Sequence, residues 1–262
     1  MWDHGAVKRA IRGESGLSRA MKILEVFNTG QSTLSPAEIA RRTRLPVATT
    51  YRMVNEMVTL GILEKTPAGV HTGIRLWELA SRGSKTLSLR NTALPFMEDI
   101  QRAIQQHTQL GMLEGNDVLY LERLSAGEGA VVNIMHVAGR LPAIVCSAGL
   151  VITAFSPRHV QQEILTTAPP LYTRLTPTHT NDFPAILADI RRKGFVQIDG
   201  WIHEEVSAVS APVRDADGSV IAALSVLLPN DGKTSGIAQT AVQIAAAGIS
   251  RALGFSPVKR GG

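Results

Sequence analysis

Between residues 41 and 71 the chain gathers side chains suited to recognising a polyanion. Arg41, Arg42 and Arg44 fall within four positions, and clustered cations of this kind hold backbone phosphates without reading sequence. Thr49, Tyr51, Arg52 and Asn55 follow. On an exposed helix face Thr49 and Arg52 reach base edges, and Arg52 has the donor fork that reads guanine through two hydrogen bonds. Asn55 is a second candidate for base contact, and Tyr51 reaches a phosphate or a thymine methyl. Lys65 and His71 lie where an adjacent groove would be touched. A solvated helix end is the alternative for the arginines, since cations there also favour the helix dipole.

Two other groupings have residue types that could do catalysis. Cys146, ten residues after His136, suggests a thiol nucleophile, and His203-Glu204-Glu205 an acid/base or metal site. A cysteine between Val145 and Ser147 packs more readily as a small apolar residue. Adjacent carboxylates on an extended segment point to opposite faces and rarely serve one metal. We therefore expect no catalytic residue, no metal ligand and no cofactor. A single cysteine excludes an internal disulfide and a paired-cysteine zinc site, which places the chain in the cytoplasm. No apolar run has the length of a membrane span, and the start Met1-Trp2-Asp3-His4 has no secretory apolar core.

Charge locates the polyanion-binding part. The 262 residues carry 27 Lys and Arg against 22 Asp and Glu. Residues 1–90 hold 14 of the basic side chains and 7 of the acidic ones, a net of +7, whereas residues 91–262 hold 13 against 15. A basic segment joined to a near-neutral one is the distribution of a nucleic-acid reader attached to a second module.

Elements must position these groups. Leu17, Met21, Ile23, Leu24 and Phe27 predict a helix over about 16–28. Ser35-Pro36-Ala37-Glu38 supplies a cap, a first-turn proline and a glutamate three after the cap, opening a short helix over 36–43. After Thr43-Arg44-Leu45, Pro46 opens a third helix to Leu60, closed by Gly61. Centred on Val54, its inner face takes Val47, Thr50, Tyr51, Met57 and Val58, leaving Ala48, Thr49, Arg52, Asn55, Glu56 and Thr59 opposite. Ile62–Lys65 and Val70–Ile74 around Thr66-Pro67-Ala68-Gly69 read as a hairpin. Short helix, tight turn, second helix and hairpin together match a winged helix-turn-helix, whose second helix enters the major groove of duplex DNA.

Beyond it a helix is expected over about Arg75–Lys85 and another over Leu94–His107, separated by the polar stretch Ser84–Asn91. The texture then changes to strands: Leu110–Leu113, Val118–Leu124, Val131–Val137, Val206–Arg214 and Val220–Leu228, the last two around the turn Asp215-Ala216-Asp217-Gly218. Helices are expected at Pro157–Leu165, Asn181–Lys193 and Ser235–Leu253. The fold class is α+β, an antiparallel sheet flanked by helices.

The runs Leu34-Ser35-Pro36-Ala37-Glu38-Ile39-Ala40, Leu45-Pro46-Val47-Ala48-Thr49-Thr50-Tyr51-Arg52 and Leu60-Gly61-Ile62-Leu63-Glu64 resemble the winged helix-turn-helix of the IclR family of bacterial transcription regulators. Gly139-Arg140-Leu141-Pro142, Ala148-Gly149, Arg192-Lys193-Gly194-Phe195, Ala208-Val209-Ser210-Ala211-Pro212-Val213 and Ile249-Ser250-Arg251-Ala252-Leu253-Gly254 continue the resemblance in the family's order. It implies a reader over 13–76, a linker helix over 77–91 and a GAF-like effector domain over 92–256. The partners implied are double-stranded operator DNA, a small organic acid and further copies of the chain, as a dimer or tetramer.

The resemblance also places the effector. The pocket it implies lies between the sheet and the loop Leu141–Gly149, with Ile144, Cys146, Ser147, Ala148, Gly149, Ile198, Asp199, Ala208, Ser225 and Leu227 as candidate contacts. Backbone N–H groups of Ser147, Ala148 and Gly149 would meet a carboxylate, and Ser225 would offer a hydroxyl. Family members often have His, Lys, Asp and Ser where this chain has Ile144, Leu150, Ile198 and Leu227. Aliphatic lining favours a more apolar ligand. Together with Gly200-Trp201 and Glu204-Glu205, Leu150 resembles members controlling aromatic-acid breakdown, so the expected effector is an aromatic or hydrophobic carboxylic acid. Two alternatives stay open at this point: a ligand-binding module whose winged unit contacts protein, and a pathway enzyme using Cys146.

Overall fold

A computed structural model of the chain describes residues 14–28, 33–127, 137–231 and 235–256. His136, the expected strand over Val131–Val137 except its last residue, and the tail cations Lys8, Arg9 and Arg12 lie outside the described residues. The chain divides into two compact units between Ser84 and Lys85.

In the first unit, helix α1 (Gly16–Glu25) starts at Ser15, whose hydroxyl accepts from the Ser18 N–H. Its expected last turn tightens into a 3-10 turn, Val26–Asn28. Helix α2 (Pro36–Thr43) opens as the sequence indicates, with Ser35 Oγ accepting from the Glu38 N–H at 3.2 Å. Arg44 closes it at φ 56°, the left-handed conformation that turns the chain sharply into helix α3 (Val47–Thr59). Strands β1 (Leu63–Thr66) and β2 (Gly69–Thr72) form the antiparallel hairpin. Leu34 bridges to Val70, so the chain entering α2 is tied to the hairpin. A Cβ on Gly69 would stand 2.4 Å from the Leu34 carbonyl oxygen, so this close approach requires glycine. Helix α4 (Ile74–Ser81) follows.

The inner face of α3 differs from the expected one. Thr50, Met53, Val54 and Met57 are buried, whereas Val47 is 59% and Tyr51 44% exposed. The stripe at i, i+3, i+4 and i+7 is centred nearer Met53, whose long side chain joins Ile23, Ile39, Leu45, Leu63 and Val70 in the core.

The second unit is built on one antiparallel sheet. Its elements are helix α5 (Lys85–Ile104), strands β3 (Thr108–Glu114), β4 (Asp117–Leu124) and β5 (Arg140–Pro142), and helices α6 (Ser147–Phe155), α7 (Arg158–Thr166) and α8 (Phe183–Lys193). Strands β6 (Val196–Asp199), β7 (Val206–Arg214) and β8 (Val220–Pro229) and helix α9 (Ser235–Ala252) complete it. The strand order is β5-β4-β3-β8-β7-β6. Leu110, Val209, Ala211, Leu224 and Val226 turn to one face, under Met97 of α5 and Val242 and Ile249 of α9. Val118, Tyr120, Ala223 and Ile198 turn to the other, under α6 and α8.

Besides strands β5 and β6, which the sequence-based expectation does not include, three regions depart from it. Helix α5 begins at Lys85 rather than near Leu94, and carries Pro95 within it; its buried stripe Leu89, Ala93, Met97 and Ile100 has helical spacing that overrides the polar appearance of 84–91. The helix expected over 75–85 accordingly ends at Ser81, and Gly83 takes φ +74° before α5. Residues 141–149, expected as a loop, comprise the end of β5, a turn and the first turn of α6. Ser147–Ala154 are all buried, so α6 shows no alternation of apolar and polar residues that would mark it as a helix.

Candidate functional sites

The candidate nucleic-acid interface lies on α3 and its approach. Arg52 and Asn55, three residues apart, are exposed on one face, with Tyr51 and the half-buried Thr49 at its margins. Arg41 and Arg42, expected on phosphates, both donate to the Glu38 carboxylate. Arg44 is exposed at the turn. In the hairpin Lys65 is exposed, while His71 is half-buried, with Nδ1 3.0 Å from the Thr72 carbonyl oxygen and Nε2 3.9 Å from Glu64.

The candidate effector site occupies the α6 side of the sheet. Strand pairing sets Ile198, Ala208 and Leu227 side by side in one cross-strand row. The next row pairs Ser210 with Ser225, whose hydroxyls are hydrogen-bonded, and Ser210 Oγ also donates to Ser147 Oγ at 2.7 Å. All three serines are buried. Ser147, Ala148 and Gly149 form the first turn of α6, where helix geometry leaves backbone N–H groups without intrahelical acceptors. Ile144, Cys146, Ala148 and Leu150 pack around this turn in the same core. Gly149 is there because its backbone lies against Ala143: a Cβ would stand 2.2 Å from the Ala143 carbonyl oxygen.

Asp199 is not brought to this group. It is the neighbour of Ile198 on a strand, so it takes the opposite face, where it is exposed and accepts from Gln197 and Ser207. Two residues of the buried cluster had no place in the expectation. Ser210 is two positions after Ala208 and shares its face, a period-2 signal present in the sequence. Tyr120 hydrogen-bonds Cys146 across the fold, which no local signal reports. Ile198 also lines a cleft of 460 Å³ with Ile186, Ile190 and Trp201 beside α8.

Among the described residues neither catalytic alternative finds a site. Burial pushes the Cys146 thiol up to about 11, so it is protonated at neutral pH and is a poor nucleophile. The Glu204 carboxylate accepts from Arg174 at 3.1 Å. Among the described residues no group of three His, Cys, Asp or Glu is arranged to hold a metal, and no helix is long and apolar enough to cross a membrane.

A winged helix-turn-helix followed by an α+β unit with a buried polar cluster defines a DNA-binding regulator with an effector domain. Residues 16–67 match the IclR helix-turn-helix domain and residues 83–250 the bacterial transcriptional regulator IclR C-terminal domain. The chain belongs to the IclR family of bacterial transcriptional regulators, and the relatives it matches are regulators rather than enzymes. It is 41% identical to an IclR homolog from Microbacterium hydrocarbonoxydans, solved as a complex with 4-hydroxybenzoate; the TM-score is 0.86, covering 91% of this chain and 99% of that one. An IclR homolog from Microbacterium sp. strain HM58-2 is 38% identical, with a TM-score of 0.61, covering 93% of this chain and 100% of that one. The Pca regulon regulatory protein of Pseudomonas putida is 25% identical over 214 residues, 81% of this chain and 73% of that protein.

Proposed function

We propose that this regulator responds to an aromatic carboxylic acid. One observation carries the reading: the Ser147–Ser210–Ser225 hydroxyl chain and the first turn of α6 form a small polar centre among Ile144, Leu150 and Ile198, with Leu227 in the adjacent cross-strand row. The α6 amides receive the carboxylate and the aliphatic side chains receive the ring. The 4-hydroxybenzoate complex of the 41% identical homolog supports the same ligand class. Thermal-shift measurements on matched acids test it: stabilisation by benzoate derivatives is expected, and stabilisation by glyoxylate or pyruvate alone overturns it.

For the reader, Arg52, Thr49, Asn55 and Tyr51 contact operator DNA in the major groove, Arg44, Arg41 and Arg42 the backbone, and Lys65 and His71 an adjacent groove. Two copies reading two half-sites require self-association as a dimer or tetramer. Exposed Leu17 and Met21, one turn apart on α1, support it. Footprinting upstream of the chain's own gene, with and without the acids, and light scattering of the purified protein test these assignments.

A further inference from the structure

Strand register extends the polar row beyond the serines. Ser225 of β8 lies opposite Gln109 of β3, and Gln109 opposite Arg123 of β4. Leu110, Glu122 and Leu224 are the paired neighbours on the adjacent row. Leu110 and Leu224 belong to the α5/α9 core and Glu122 pairs with Arg90 of α5, so Gln109, Arg123 and Ser225 occupy the α6 face. The row Arg123, Gln109, Ser225, Ser210 therefore crosses four strands, and Ser147 reaches it from α6.

Arg123 is the member of this row that leaves a donor unmet: its Nε is buried with no hydrogen-bond partner, beside Gln109, which is 2% exposed. A guanidinium cannot shed its proton, so a buried N–H of this kind stays unmet until an acceptor arrives. Arg123 stands two strands from Ser225, about 10 Å between backbones, a separation on the scale of a benzene ring with a substituent at each end.

We propose that Arg123 and Gln109 recognise the polar substituent at the end of the effector ring remote from its carboxylate. The effector class is a ring acid with an oxygen para to the carboxylate. This assignment rests on the aromatic-acid reading above, and adds the residues that select among such acids. Arg123 Nε donates to the para oxygen, while the α6 turn holds the carboxylate. An apolar para group leaves the N–H unmet and binds more weakly.

Calorimetric titration of the full chain with 4-hydroxybenzoate, 4-methylbenzoate and benzoate tests the proposal. The wild type is expected to prefer the 4-hydroxy over the 4-methyl acid by about tenfold or more, as for a hydrogen bond to a charged donor. In Arg123→Met that preference falls to about twofold or less, with affinity for 4-methylbenzoate retained, and Gln109→Leu reduces it in part. Removing an unmet buried donor leaves the melting temperature of the ligand-free Arg123→Met chain equal to or above that of the wild type. Equal weakening of all three acids in Arg123→Met, or a lower melting temperature of the ligand-free variant, overturns the assignment. Ring-acid binding that ignores the para group in the wild type overturns it alone. Binding of no ring acid overturns it together with the aromatic-acid reading.

Discussion

Arg41 donates two hydrogen bonds to the carboxylate of Glu38, from Nε at 2.9 Å and from a terminal nitrogen at 2.6 Å. Arg42 donates a third to the same group at 2.7 Å. The hydrogen bonds from Arg41, and then those from Arg42, hold Glu38 down to about 2. The two cations that the proposal assigns to phosphate are thus partly neutralised by one anion. Glu38→Gln is expected to tighten binding to non-operator duplex and to steepen the dependence of log K on log salt by up to about 2. Fluorescence anisotropy over a salt series measures this, and an unchanged slope would place both arginines away from the DNA. The folded pKa lies below the unfolded one, so the ion pairing is complete above pH 4.5 and is lost as pH falls toward 2. Binding measured between pH 6 and 8 therefore shows no contribution from Glu38 titration.

The roles proposed for Arg44 and Arg52 separate positioning from reading. Arg44→Gly removes a cation while suiting the backbone φ of 56°. It is expected to weaken operator and random duplex alike and to flatten the salt slope by about 0.9. Arg52→Ala is expected to cost about 1–3 kcal/mol on operator and little on random sequence. Equal losses from Arg52→Ala on both duplexes would demote it to a phosphate contact.

Ser210 joins Ser147 of α6 to Ser225 of β8, so its removal orphans two buried hydroxyls. Ser210→Ala is expected to destabilise the chain by about 1–3 kcal/mol in urea unfolding. Ser225→Ala combined with it adds less than the sum of the two, because both changes break the same contact. Strict additivity would show that the hydroxyls are independently satisfied.

Gly149 fixes how deeply the first turn of α6 sits. An added methyl meets Ala143 backbone at 2.2 Å, and backbone atoms have no rotamer by which to withdraw. Gly149→Ala is expected to cost about 1–3 kcal/mol of stability, as an overpacked core does. Under the proposed function it is also expected to abolish thermal stabilisation by aromatic acids, because the amides move with the turn. Gly83→Ala, where nothing lies within 4 Å of the added methyl, is the comparison; at φ +74° its strain acts outside the effector domain core.

The reader was legible because its signals are local. The Ser35 cap, Pro36 and Glu38 lie within four residues, and the hairpin is set by one short turn. The sensor was legible where strands alternate, as along Val206–Arg214, and illegible where burial is complete on all sides, as along α6. Its polar row joins residues 109, 123, 147, 210 and 225, and only register between distant strands makes them neighbours. Asp199 shows the converse: adjacency in sequence to a site residue on a strand means the opposite face.

Cys146 gives the sensor core a pH limit. The thiol is buried at the start of α6 and hydrogen-bonded to Tyr120, and burial chiefly raises it from 9.0 to about 11. The unfolded chain loses this proton first as pH rises, so the contribution of Cys146 is intact below about 9 and is lost progressively as pH climbs toward 11. The loss amounts to roughly 2–3 kcal/mol for this one group. Cys146→Ala removes that part of the alkaline destabilisation while also losing packing, so urea midpoints measured at pH 7.5 and pH 10.5 converge relative to the wild type. The same burial makes iodoacetamide labelling of the native chain slow and denaturant-dependent. Rapid labelling in native buffer would show that the α6 turn opens to solvent.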